Sequence, residues 1–423
     1  MQRQVKVNFG NFLLSFSEAV DLADPALTQH QQRTAFIAWE MAKKANLPMD
    51  RLKNLFIAAL LHDIGIFSLK EKLMIRQYEI ENLESHCIKG EILLKRVPWL
   101  KEAARLVRYH HTKWTEWNES IDSDIVFDSQ ILYVADLVER KIKRDIYILF
   151  QKEDIFSEIR SLSGTVIHDD IVELFFSISQ TEEFWLDLFN SRLYSLLLNE
   201  GPLKGIEIDF EEITVISELF RHIIDFRSRF TATHSSGVAA SALLLARLLG
   251  LTEYEMKLLE VAGNLHDIGK LAIPNEILDK PGKLTKEEME LMKSHTYYTY
   301  SVIKTIGGLQ QIAEWAAYHH EKLDGSGYPF HCKAPELSIG SRIVMVADIF
   351  TALTEDRPYR KGLPRVEVEK ILKKFSDQEL LDRNIIKLLL ENYDEVHAFV
   401  AEKQKIARQF YESQFAETVS VYN

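Results

Sequence analysis

The sequence predicts an all-α protein made of two tandem helical domains, each opening on a short β segment. Three observations carry this. Leu, Ala, Glu and Lys dominate, and strand-rich segments are scarce. Apolar residues recur at helical spacing: Val238, Ala242, Leu245 and Leu249 fall at i, i+4, i+7 and i+11, and Gly250 ends the run. The chain also repeats itself, with His-Asp-Ile-Gly written at 62–65 and again at 266–269. A length of 423 residues exceeds what one compact core holds. Repeat and length together give two domains, 1–200 and 201–423.

Taken in order, "VKVNF" at 5–9 alternates apolar and polar side chains as a short strand does. Phe36, Met41, Ala45 and Leu47 then belong to a helical stretch of looser spacing. Residues 137–198 carry amphipathic runs that read as helices completing the first domain. "NEGPLKG" at 199–205 has the Gly and Pro of a linker. "IEIDF" at 206–210 restarts the pattern with a second alternating segment. The tail beyond Ala401 reads as polar and helical, fraying at its end.

Composition excludes several classes of function. A net charge of −12 repels polyanions, which argues against polymeric nucleic acid and anionic membrane surfaces as partners. A local cluster of cations can still reverse the field inside a cleft. Cys87 and Cys332 are too few for a disulfide framework or a thiolate zinc site and read as incidental thiols. "MQRQVKVNFG" has no apolar core of a signal peptide, and runs such as "LFIAALL" are too short to span a bilayer. The expected location is the cytoplasm, away from membranes.

Ten of the fourteen histidines form two matching series. The first is His30, His62, His86, His110 and His111; the second is His234, His266, His295, His319 and His320. The first interval is 32 residues in both series, and the third histidine stands 24 before the fourth in both. An aspartate follows each series after an apolar strip: Asp136 in "ILYVADL" and Asp348 in "IVMVADI". With Asp63 and Asp267, each half offers five imidazoles and two carboxylates. Such nitrogen and oxygen sets suit iron, manganese, nickel or zinc, and fit a two-metal cluster better than a closed structural zinc. Asp63 and Asp267, each beside a histidine, are the natural bridging ligands. Two metals roughly 3.5–4 Å apart activate water and stabilise the charge that grows on a phosphoryl group.

The order His234, His266-Asp267, His295, His319-His320 and Asp348 resembles the HD superfamily of metal-dependent phosphohydrolases. "HDIGK", "HHEKLDGSGYP" at 319–329 and "DIFTALTEDRPYRKG" at 348–362 resemble its HD-GYP branch, over about residues 206–400. The resemblance implies a helical fold, a dinuclear or trinuclear metal centre and hydrolysis of bacterial cyclic dinucleotides. It assigns His234, His266, Asp267 and Asp348 to one divalent metal, and Asp267, His295, His319 and His320 to the other. Some members carry a Glu four residues before the first histidine as a third-metal ligand. Phe230 stands there in this chain, so two metals (iron, manganese or nickel) are expected in this half. Asp267 and Lys270 are the catalytic candidates, with Lys270 placed to contact the scissile phosphate or assist the leaving oxygen. Gly327, Tyr328 and Pro329 offer close backbone approach and an aromatic ring to the substrate. Arg357 and Arg360 suit a second phosphate or a guanine edge; ion pairing with Glu355 or Asp356 is their other reading.

The first half keeps the candidate ligands His30, His62, Asp63, His86, His110, His111 and Asp136, enough for one or two more metals. It departs elsewhere. Ile66 replaces Lys270, "TEWNES" at 115–120 replaces "DGSGYP", and Asp145 and Ile148 stand in the places of Arg357 and Arg360. Arg33 follows His30 by three residues where Gly237 follows His234. The half is thus an HD domain without the GYP motif: a regulatory partner, a nucleotide sensor, or a 5′-nucleotidase acting on the opened ring. The leading expectation for the whole is a phosphodiesterase that converts cyclic di-GMP or 3′3′-cyclic GMP-AMP to a linear 5′-phosphorylated dinucleotide. The contrasting expectations are a cyclic-dinucleotide receptor with structural metals and a general nucleotidase. A homodimer is compatible with either.

Overall fold

The structure is a computed structural model and describes residues 6–22, 28–67, 84–227, 233–280, 282–356 and 361–419, with side chains through 415. The chain divides into two compact units, Asn8–Glu207 and Ile208–Asn423, with Val7 counted in the second. Helices dominate both. The alternating segments are strands only at Val7–Asn8 and Glu207–Ile208, which pair in a two-stranded sheet, the one sheet among the described residues. The expected strands are shorter than read because helices begin at once, at Phe9 and Phe210.

In the first unit, helices Phe9–Asp21, His30–Lys44, Met49–Leu61, Glu84–Leu94, Lys101–Tyr109 and Asp124–Lys141 carry the histidine series. Residues 137–198 continue as the helices Lys152–Ser161, Asp169–Ser179, Glu182–Leu188 and Leu193–Glu200. The second unit repeats the series with Phe210–Arg227, His234–Leu248, Glu253–Leu265, Lys286–Thr305, Gln310–Ala317 and Ile339–Thr354. Helices Arg365–Asp377, Arg383–Glu391 and Tyr393–Val419 complete it.

The first histidine of each series opens a helix of 15 residues, and the His-Asp pair follows a helix of 13. Both helix starts are capped by a carboxylate at the end of the preceding helix. Asp21 accepts the Gln31 N–H at 3.0 Å and Asp225 the Ser235 N–H at 3.1 Å, satisfying amides that no helical carbonyl reaches. The ends match too. Gly250 sits at φ +73°, and Leu251 N–H donates to Ala246 O. Asn46, at φ 54°, holds the equivalent left-handed position in the first unit, where Leu47 N–H donates to Ala42 O.

Helix His234–Leu248 is buried on nearly every side, not along one stripe as the periodicity predicts, and Leu249 lies past its end, half-buried. Its small residues permit close packing: a Cβ on Gly263 would come within 2.6 Å of Ala239 Cα. The tail also differs from its polar reading. Phe415 is fully buried and packs its ring 5.1 Å from that of Phe226. Among the described residues, no helix is long and apolar enough to cross a membrane.

Candidate metal centres

The glycine of each His-Asp-Ile-Gly run explains why the fourth letter is fixed. A Cβ on Gly269 would sit 1.9 Å from the carbonyl oxygen of His295, and one on Gly65 would sit 2.1 Å from that of His86. Only glycine lets the turn after the His-Asp pair press against the helix that bears the third histidine. The clusters form as a result. In the second unit His234, His266 and Asp348 converge, as do His266, Asp267 and His319, and His295, His319 and His320. In the first unit His30, His62 and Asp63 converge, and Asp136 Oδ1 lies 3.5 Å from the Nε2 atoms of both histidines. His111 approaches Asp136 at 3.9 Å.

Backbone carbonyls set the orientation of five rings. The Nδ1 atoms of His62, His110, His266, His295 and His319 each donate to the carbonyl three residues earlier, at 2.6–2.9 Å. A carbonyl only accepts, so the proton lies on Nδ1 and the Nε2 lone pair faces the centre. Burial drives His295 down to about 3 and His320 to about 4, with His86 and His110 at about 3 and 4 in the other unit. These rings are therefore neutral at neutral pH.

His86 and His110 bring their Nε2 atoms to 3.2 Å, and at the same distance those of His295 and His319 face one another with both protons on Nδ1. Two opposed lone pairs call for a cation between them. Among the described residues, the Nε2 of His266, Oδ1 of Asp267 and Nε2 of His111 are buried and find no hydrogen-bond partner, a pattern that suits ligands for a cation. The donor sets fit divalent metal.

The first histidine of each series behaves differently. Burial, the largest influence on His234, pulls it down, but Asp348 and Glu355 outweigh this and raise it to about 10. Its Nε2 lies 3.1 Å from Asp348 Oδ1 and its Nδ1 3.3 Å from Glu355 Oε2. His30 is raised to about 9, burial again being outweighed by Glu139 and Asp63. Burial also pushes Asp267 and Asp348 up. His266 and Lys270 around the one, and His234 and His320 around the other, reverse this and hold both carboxyls below the ordinary range.

Lys270 donates from Nζ to Asp267 Oδ2 at 2.6 Å. It does so from a 3-10 turn, Ile268–Ala272, rather than as a continuation of the helix that ends at Leu265. In the first unit Asp63 Oδ2 accepts the Gln31 side-chain amide at 3.2 Å, and Arg140 lies 2.9 Å from Asp136 Oδ2.

The Gly-Tyr-Pro loop is clamped by Glu321, which spacing analysis passes over. Its buried carboxylate accepts the N–H groups of Phe330 at 2.7 Å and Cys332 at 3.1 Å. A Cβ on Gly327 would lie 2.3 Å from Glu321 Cα. Tyr328 brings its ring 5.0 Å from that of His320, with Pro329 half-buried beside it. Arg357, Arg360 and Phe230 lie outside the described residues. Cys87, read as incidental, has its Sγ 3.7 Å from His86 Nε2 and 3.5 Å from His110 Nδ1, a soft donor grouped with both rings. Spacing also passes over Glu139 and Arg140, and offers Glu355 only as an ion-pair partner for Arg357 or Arg360.

An all-helical unit, built twice and closing each time on histidines and aspartates, defines the class: the chain belongs to the HD domain family. The family's profile matches residues 15–148 and 218–385, once in each half. Its "HDIGK" and "GYP" sequences place it in the HD-GYP branch. Among curated proteins it is 30% identical over 396 residues to the 3′3′-cGAMP-specific phosphodiesterase 1 of Vibrio cholerae serotype O1, covering 91% of this chain and 92% of that one. It is 36% identical over 298 residues to phosphodiesterase 3 of the same organism, covering 68% and 62%. The cyclic di-GMP phosphodiesterase response regulator RpfG of Xanthomonas campestris pv. campestris is 40% identical over 158 residues, 37% of this chain and 42% of that one. The crystal structure of a cyclic GMP-AMP specific phosphodiesterase of V. cholerae, V-cGAP3, superposes with a TM-score of 0.63 at 23% identity, over 92% of this chain and 98% of that one. This last likeness shows the fold.

Proposed function

We propose that this chain is a metal-dependent cyclic-dinucleotide phosphodiesterase whose chemistry lies in the second unit. The observation that carries the reading is the convergence of the buried ligand atoms of His266, Asp267 and His319 with Lys270 and the clamped Gly-Tyr-Pro loop. His234, His266, Asp267 and Asp348 would hold one metal, and Asp267, His295, His319 and His320 the other, with iron, manganese or nickel suited to the donors. Such a pair activates water and neutralises charge on a phosphoryl group. Lys270, which bonds the shared carboxylate, would bond a phosphate oxygen, and Tyr328, beside His320, would offer its ring to a base. The product is a linear dinucleotide with a 5′-phosphate. Similarity along almost the full length to a 3′3′-cGAMP-specific enzyme favours 3′3′-cyclic GMP-AMP over cyclic di-GMP as the ring. The substrate class sets the cytoplasm as the place of action, and a homodimer is compatible with the reading.

A second activity, removal of that 5′-phosphate by the first unit, is favoured by one observation beyond its ligand set. A cavity of about 620 Å³ opens on His111 and is lined by Arg105, Arg108, Tyr109 and Trp117. The segment that replaces the Gly-Tyr-Pro loop lines part of it, and it brings aromatic rings together with arginines that pair with glutamates, Arg105 with Glu102 and Arg108 with Glu84. The test is a chromatographic product assay with manganese-loaded protein on 3′3′-cyclic GMP-AMP and cyclic di-GMP, run beside His266→Ala/Asp267→Ala and His62→Ala/Asp63→Ala. Ring opening is expected to vanish in the former alone, and the linear product to keep its phosphate in the latter. Metal-loaded protein that leaves both rings intact would point to a receptor.

A further inference from the structure

The five carbonyl-held histidines each have a helical turn behind them that supplies an acceptor, His295 from mid-helix and the other four from helix ends. His30 and His234 open their helices and have no such turn. Each finds a buried glutamate instead: Glu139 on His30 Nδ1, and Glu355 on His234 Nδ1 at 3.3 Å.

The two glutamates are not repeat equivalents. Glu139 stands three residues after Asp136, inside the helix Asp124–Lys141; Glu355 stands seven after Asp348, capping the end of the helix Ile339–Thr354. Thr351 occupies the place of Glu139, and Lys143 that of Glu355. The surroundings have changed to match. In the first unit Arg33 and Arg144 both reach Glu139 Oε1. In the second, Arg33 is replaced by Gly237, where a Cβ would lie 2.6 Å from Thr351 Cγ2, and Thr233 Oγ1 donates to Glu355 Oε1 at 2.5 Å. One contact is thus delivered from two positions, each with its own support, as expected of a contact that is needed rather than inherited.

From this geometry we infer that Glu355 and Glu139 are positioning residues that hold the first histidine of each centre with its Nε2 toward the metal. A carboxylate on the far nitrogen fixes the ring and strengthens it as a ligand, and loss of such a partner typically lowers metal affinity by about 10–100-fold. The inference rests on the metal reading of both centres and not on the substrate.

The experiment measures Mn(II) binding by electron paramagnetic resonance on the full chain. Wild type is compared with Glu355→Gln, Glu355→Ala, Glu139→Gln and the relocation Thr351→Glu/Glu355→Ala, and circular dichroism verifies the fold of each. Glu355→Gln is expected to weaken one class of sites about tenfold, and Glu139→Gln the other. Glu355→Ala should weaken its class further, and the relocated glutamate should restore most of the loss, which a merely structural role for Glu355 would not produce. Folded Glu355 variants that bind Mn(II) as wild type does, or a relocated glutamate no better than Glu355→Ala, would overturn the inference alone. A wild type that binds no Mn(II) would overturn the metal reading and the inference with it.

Discussion

The two halves assemble the same histidines and aspartates, and among the described residues a lysine meets Asp267 in one while an arginine meets Asp136 in the other. In the second unit Lys270 bonds Asp267, the acid shared by the proposed pair of metals. In the first, Arg140 bonds Asp136. Ile66 stands there in the place of the lysine, and Asp63 accepts an amide from Gln31. A movable ammonium next to the shared acid suits a group that must reach a phosphate. A guanidinium paired with a terminal ligand suits charge balance. The loops diverge in parallel: one half closes a Gly-Tyr-Pro turn over His320, and the other leaves a cavity beside His111. Ligand geometry and substrate recognition are therefore separable in this fold.

The largest expected effect that bears on this comparison comes from the ligands. His266→Ala/Asp267→Ala should cut ring opening by roughly 10⁴-fold or more, as loss of groups that act as a unit does, while His62→Ala/Asp63→Ala leaves it near wild type. Equal losses in both variants, measured by product chromatography, would erase the division of labour. Lys270→Met should lower kcat by roughly 10²-fold without reducing Mn(II) stoichiometry; an unchanged kcat would reduce the lysine to a partner of Asp267. Gly269→Ala and Gly65→Ala should each destabilise their own half by about 3 kcal/mol through overpacking, read as a denaturant shift and a loss of metal from that half only. Metal lost from both halves would show them to be coupled.

The smallest effect is in protons. His234 and His30 carry a proton up to pH values of about 10 and 9, whereas the other shifted rings are neutral, so metal uptake near pH 7.5 should release about one proton per centre. Affinity should accordingly rise with pH until those values are passed. Calorimetry in two buffers of different ionisation enthalpy measures this, and a release near zero would refute it. In the metal-free protein the sign is opposite. Each raised ring adds stability that is complete below its ordinary value of 6.5 and is lost as pH rises through about 9 for His30 and 10 for His234.

Repetition made the ligands legible: two series at matched intervals reveal which histidines belong together before any fold is known. The strands were overread because Phe9 and Phe210, apolar in an alternating pattern, serve as the first residues of helices. The helix His234–Leu248 was read as one-sided because alanine, serine and glycine, which weigh little in a periodicity, are buried between neighbours on all sides. Glu139 escaped, and Glu355 was read only as an ion-pair partner, because the repeat that exposes the ligands hides residues that do the same work from different places. Glu321 escaped for a related reason: Thr112 holds its position in the other half, and its partners are backbone amides, which leave no trace in spacing.

The contact of Gly65 and Gly269 with a histidine carbonyl has an evolutionary consequence. It sets the spacing of imidazoles by main chain against main chain, so no side-chain exchange nearby has to preserve it. The two halves differ in the Gly-Tyr-Pro loop and in lysine against isoleucine, yet the Nε2 atoms of His86 and His110 lie 3.2 Å apart, the same separation as those of His295 and His319. A scaffold whose tolerances lie in the backbone leaves its side chains free to explore new substrates.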